Sequence, residues 1–226
     1  MHQAGNIVVN YGPSGLVVPS LNSESALQPL NWKGCRPLSE RQYFLLANFG
    51  VRDWLTDRKT INLQLNEYNG EKKVQREEPR TREAQDKLTS ALMVLSLPGD
   101  LPFQKRFYDA LLHCTVPVVI KRNVTGVGDT YWSNIGEWTE AYAGRIMDTY
   151  PSLDYPYSDL VVEVDGLEMQ VEGIMAILER IPMEELEKKM KKIEEVRNRF
   201  LYDFKGNTHD AFSVMLETLW QKYMSK

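Results

Sequence analysis

Apolar positions along the middle of the chain alternate between two patterns. Continuous runs occur at Tyr43-Phe44-Leu45-Leu46-Ala47, Val94-Leu95-Ser96-Leu97, Val116–Ile120 and Leu160-Val161-Val162-Glu163-Val164. Runs of this length suit strands buried on both faces. Between and after them the apolar residues take helical spacing, predicting helices over 103–113 and near 138–149, and three more near 168–180, 183–203 and 209–224. In the second of those three, Leu186, Met190, Ile193, Val196, Phe200 and Phe204 fall three or four residues apart, a stripe that packs on the body of the domain. Strands alternating with helices at this spacing predict βαβ crossovers, hence an α/β fold with a mostly parallel sheet and flanking helices.

The chain before this region reads differently. Residues 1–40 are rich in Gly, Pro, Ser and Asn and hold only short apolar runs, Ile7-Val8-Val9 and Leu16-Val17-Val18. They predict an irregular N-terminal segment, followed by a domain over 41–205 and a C-terminal helix within 206–226 that packs on it. Residues 69–87 carry six basic and five acidic side chains with Gly70 and Pro79 as breakers. That pattern predicts a solvated loop leading into a helix capped by Thr81, with Leu88, Ala91 and Leu92 on its apolar face.

Composition narrows the function. With 27 basic and 31 acidic side chains the net charge is −4, which gives no general attraction to nucleic acid. No stretch reaches the ~18 apolar residues of a membrane span, and no basic start precedes an apolar run as in a signal peptide. The sequence thus reads as a soluble chain. Its two cysteines, Cys35 and Cys114, allow a single disulfide but no CxxC-type metal site, and His2, His113 and His209 are scattered, so no metal is expected.

The segment from Leu95 to Ile120 carries the chemistry. It reads as a strand, a tight turn at Gly99, a helix starting near Pro102, and a second strand. Lys105 and Arg106 stand in the first turns of that helix, where cations face the positive end of the dipole at a cost of about 0.3–1 kcal/mol each. Their placement makes sense if an anion shares the site, since a helix N-terminus at the carboxyl end of a parallel strand is where phosphates bind. Asp109 lies three residues beyond Arg106; it reads either as an acceptor for ribose hydroxyls or as an i,i+3 ion-pair partner of Arg106.

Pro98, Gly99 and Asp100, then Pro102, Arg106, Asp109, Ala110, Pro117 and Val118, follow in the order found in the carboxyl-terminal half of the exostosin family of glycosyltransferases, which this stretch resembles. Leu160–Val164, Ile174–Ile181, Pro182 and the helix beyond resemble that family's closing elements, and Tyr43–Gly50 more faintly the start of its second domain. The resemblance implies a Rossmann-like domain, the second of the two facing domains of a GT-B enzyme, that binds a nucleotide sugar, most often a UDP-sugar, with no tightly bound cofactor. It implies that Gly99, Lys105 and Arg106 hold the donor diphosphate and Asp109 the ribose, that a sugar is transferred to a glycan hydroxyl, and that the enzyme works in the Golgi lumen. The family's Ser before the Arg pair is Gln104 here, and its Gly-Cys before Ile-Pro-Val is Cys114-Thr115. The family's acceptor-binding first domain, which supplies the general base, has no counterpart in this sequence, so no catalytic residue is assigned. The expectation is a donor domain completed by an N-terminal domain or partner chain; the alternative is a non-catalytic domain that binds a nucleotide or a partner.

Other residues carry weaker readings. Asn123-Val124-Thr125 is a glycosylation sequon after a strand. The loop Gly126–Gly136, with Asp129, Tyr131 and Trp132, lies where ligands sit in open α/β sheets, although Trp132 and Trp138 equally suit a sheet cover. Glu163 reads as an edge or solvent-facing strand residue, and Glu168 as within reach of a donor sugar. His113 reads as a partner of a helix C-terminus and Cys114 as a small buried hydrophobe.

Overall fold

The chain builds a single five-stranded sheet in a computed structural model that describes residues 35–51, 56–77, 87–97, 105–121, 156–203 and 209–224. The strands are β1 (Tyr43–Ala47), β2 (Val74–Arg76), β3 (Ala91–Leu95), β4 (Val116–Lys121) and β5 (Val162–Asp165), arranged in the order β2-β1-β3-β4-β5. All four pairings are parallel, with Leu45 beside Met93, Val94 beside Pro117 and Val119 beside Glu163. Every residue of β3 is buried, as a central strand covered on both faces requires.

The helices are α1 (Thr56–Glu67), α2 (Lys105–Leu112), α3 (Gly166–Glu172), α4 (Ile174–Glu179), α5 (Met183–Val196) and α6 (Ala211–Met224). From β1 the chain turns through α1 to β2 on one side, and from β3 through α2 to β4 on the other. Right-handed crossovers in opposite directions place α1 and α2 on opposite faces of the sheet. The contacts agree: α4 packs beside α1, whereas α5 and the 3-10 turn Arg197–Phe200 pack beside α2. This is a doubly wound, Rossmann-like α/β fold, as the alternation of patterns predicts.

Several boundaries differ from the sequence reading. The helix expected up to Leu92 is absent among the described residues: Leu88–Ser90 forms one 3-10 turn and the chain enters β3 at Ala91. Leu88, Ala91 and Leu92 fit helical spacing, yet Tyr43 pairs with Ala91, and the parallel ladder takes the whole apolar run. The charged segment 69–87 includes β2, three residues on the sheet edge. Helix α1, for which no element was expected, has only Ile61 and Leu65 as buried apolar residues. The helix expected over 168–180 breaks at Gly173, whose φ of +88° favours glycine; Gln64 of α1 seals the break, donating to Met169 O (2.9 Å) and accepting from Ile174 N (3.0 Å). Thr81, Gly99, Pro102, Asn123, the loop 126–136, the helix near 138–149, Phe204 and the runs within 1–34 lie outside the described residues.

At the end of α2, Cys114 adopts φ +53°, the left-handed conformation that ends many helices. Thr115 N–H bonds Ala110 O and Cys114 N–H bonds Leu111 O, the paired contacts of a Schellman motif. Cys114 is also joined to Cys35 by a disulfide across 79 residues, with Cα atoms 5.6 Å apart. Its carbonyl accepts from Arg41 Nη2 at 2.9 Å. The buried Arg41 guanidinium also donates to Ala91 O, Thr115 Oγ1 and Arg36 O, tying the chain before β1 to the starts of β3 and β4.

Candidate functional site

The carboxyl edge of the sheet is where the chain diverges. After β1 it leaves toward α1 and after β3 toward α2, which makes the β1/β3 boundary the topological switch point. In open α/β sheets ligands bind in the crevice at such a boundary.

Three kinds of group meet there. From α1, the buried Arg58 reaches across both outgoing loops, donating to Gly50 O (3.0 Å) and Leu97 O (3.3 Å). From α2 come Lys105 and Arg106, in the first turn of a helix whose N-terminus lies at the carboxyl end of β3. From the strand ends come Asn48 and Ser96. Leu46 is paired with Val94, so continuing that register by two residues sets Asn48 beside Ser96. Leu46 and Val94 pack with Ala110 of α2. Side chains alternate along a strand, so Asn48 and Ser96 share that face, about one helical turn nearer to Arg106. Both are buried, at 6% and 3% exposure, and neither Asn48 Oδ1 nor Ser96 Oγ has a hydrogen-bond partner. Such orphaned polar atoms are costly in a core and call for an explanation.

Asp109 behaves differently from its expected pairing. Its ion partner is Lys105, one turn earlier, whose Nζ lies 2.6 and 2.5 Å from the two carboxylate oxygens. Arg106 acts on it as a nearby charge. Burial pushes the Asp109 carboxyl above its ordinary range, against the pull of Lys105 and Arg106. A second turn on, His113 is buried with no partner on either ring nitrogen. Burial, reinforced by the charges of Lys105, Arg41 and Arg197, lowers its pKa to about 3. His113 is therefore neutral at physiological pH and brings no charge to the helix end, contrary to the sequence reading.

The remaining candidates separate cleanly. Glu163 is exposed on the edge strand β5, as expected. Glu168 stands in the first turn of α3 paired with Arg180 at 2.7 Å. Cys114 is buried as expected, but as half of a disulfide. Among the described residues no group of three or more His, Cys, Asp or Glu side chains is placed to hold a metal, and no helix is long and apolar enough to cross a membrane. Arg58, Asn48 and Ser96 escaped the sequence reading because none sits in a motif: the register of β1 and β3 sets Asn48 beside Ser96, and Arg58 reaches the outgoing loops from α1. No protein-family model matches the chain, and no curated protein matches it.

Proposed function

We propose that the chain is the donor-binding domain of an exostosin-type glycosyltransferase, which seats the diphosphate of a nucleotide sugar at the β1/β3 switch point. One observation carries the reading: α2 begins at the carboxyl end of β3 with Lys105 and Arg106 in its first turn. Backbone N–H groups, the helix dipole and two cations then converge on one anion. Arg106 takes two phosphate oxygens, while Lys105, steered by Asp109, supplies a second positive charge. As the sugar leaves, negative charge builds on the diphosphate, and these groups stabilise it in the transition state. Attack by the glycan hydroxyl requires groups from a further domain or partner chain.

Calorimetric titration with UDP, GDP and ADP tests this. UDP is expected to bind more tightly than the others, and Arg106→Ala to weaken it about tenfold or more. A folded chain that binds none of the three overturns the proposal. A second reading, a nucleotide-binding domain without turnover, is favoured by the engagement of Asp109 with Lys105, since a ribose must displace Lys105 to reach that carboxylate. UDP binding that survives Asp109→Asn unchanged supports that second reading.

A further inference from the structure

We propose that Cys35 is a thiol-exchange site, at which a thiol or dithiol reductant attacks the Cys35–Cys114 disulfide and from which Cys114 departs as a thiolate beside Arg197. The two sulfurs differ in every respect that governs exchange. Cys114 is fully buried, whereas Cys35 is only partly buried and lies at the rim of the core. An incoming thiolate therefore meets Cys35 first. The sulfur it displaces lands in a cationic setting: Arg197 Nη1 stands 3.7 Å from Cys114 Sγ, and Arg41 binds the carbonyl of the same residue. A cation beside a thiolate stabilises it, and a better-stabilised leaving thiolate departs faster. His113, the other titratable group at this helix end, is neutral and does not compete for that charge. Glu194, which acts on Arg197 as a nearby charge, accepts the Cys35 N–H through Oε1 at 2.8 Å, so a carboxylate guards the entry and disfavours anionic thiols.

The reductant thiolate forms a new S–S bond to Cys35 as the Cys35–Cys114 bond breaks, and the electron pair leaves on Cys114 Sγ. A second reductant thiolate then displaces Cys35, the reductant ends as a disulfide, and the protein gains two electrons and, from solvent, two protons. The segment before β1 then keeps its Arg41 hydrogen bond to Cys114 O but loses its covalent tie to the end of α2.

The full oxidised chain is mixed with glutathione, quenched in acid at intervals, and mapped by peptide mass spectrometry. The expected adduct is on Cys35, with Cys114 as the thiol. Arg197→Gln is expected to slow adduct formation at least about threefold, and the surface change Glu194→Gln to speed it about twofold without moving the adduct. Should Arg197→Gln fail to fold, the wild-type map and Glu194→Gln decide. An adduct on Cys114, an even division between the two, a Glu194→Gln rate no higher than wild type, or two thiols persisting after air oxidation overturns the proposal.

Discussion

The two edges of the sheet solve opposite problems with similar residues. At the amino edge the buried Arg41 satisfies carbonyls from three segments, Thr115 donates to Leu88 O, and Cys35 and Cys114 close the arrangement covalently. At the carboxyl edge the buried Arg58 also bridges two loops and Lys105 pairs with Asp109, yet Asn48 and Ser96 are left with orphaned oxygens. Polar groups that pair with one another stabilise a fold; polar groups held ready and unpaired do so only when something else arrives. The first edge is built to hold; the second leaves two buried polar oxygens without a partner.

Cutting the covalent tie at the amino edge gives the largest expected effect. Cys35→Ser reopens a loop of 79 residues, which in the chain-entropy account costs about 4.5 kcal/mol. Urea unfolding with and without dithiothreitol checks it: the reductant destabilises wild type and leaves Cys35→Ser unmoved. Acid acts next. The His113 pKa is depressed in the fold, so its stabilising effect is complete above pH 6.5 and is lost as pH falls toward about 3, with about 3 kcal/mol of it gone by pH 4. Asp109, whose carboxyl is raised, works the other way, gaining its proton earlier on acidification in the folded state. His113→Gln is expected to flatten the stability profile between pH 6.5 and 4, measured by denaturant midpoints across that range.

A smaller effect isolates the left-handed turn. In reductant, where the disulfide no longer contributes, Cys114→Gly is expected to be about 1 kcal/mol more stable than wild type, because glycine adopts φ +53° without the Cβ penalty. Without reductant the order reverses. The smallest effect belongs to the carboxyl edge. Ser96→Ala removes a hydroxyl that has no partner, so stability is expected to stay within about 0.5 kcal/mol of wild type, while UDP affinity falls. A loss of stability above about 1 kcal/mol would show that both edges are built to hold.

The sequence made the central βαβ unit legible because β3, α2 and β4 carry their signals locally: unbroken apolar runs around a helix with a mixed face. Lys105, Arg106 and Asp109 were legible for the same reason, one helix bearing all three. Strand β2 was not, since three residues on an exposed edge leave no run to read. Helix α1 has two buried apolar positions, too few for a clear stripe. Asn48 meets Ser96 only through the register between β1 and β3, Arg58 reaches the outgoing loops only through the docking of α1, and the cysteine pairing depends on tertiary proximity; none leaves a spacing rule in the chain. Leu88, Ala91 and Leu92 show the remaining difficulty, a short apolar run that fits both periods until strand partners choose between them.

The disulfide also sets how the molecule carries load. Strands β1, β2 and β3 all lie within the loop it closes, so a pull on the two chain ends passes from Cys35 directly to Cys114 and bypasses them. While the bond is closed, the extensible length is shorter by roughly 270 Å, at about 3.4 Å for each bypassed residue. More than a third of the polypeptide, including the whole switch point, is thereby shielded from tension that would strip β4 and β5 from the sheet.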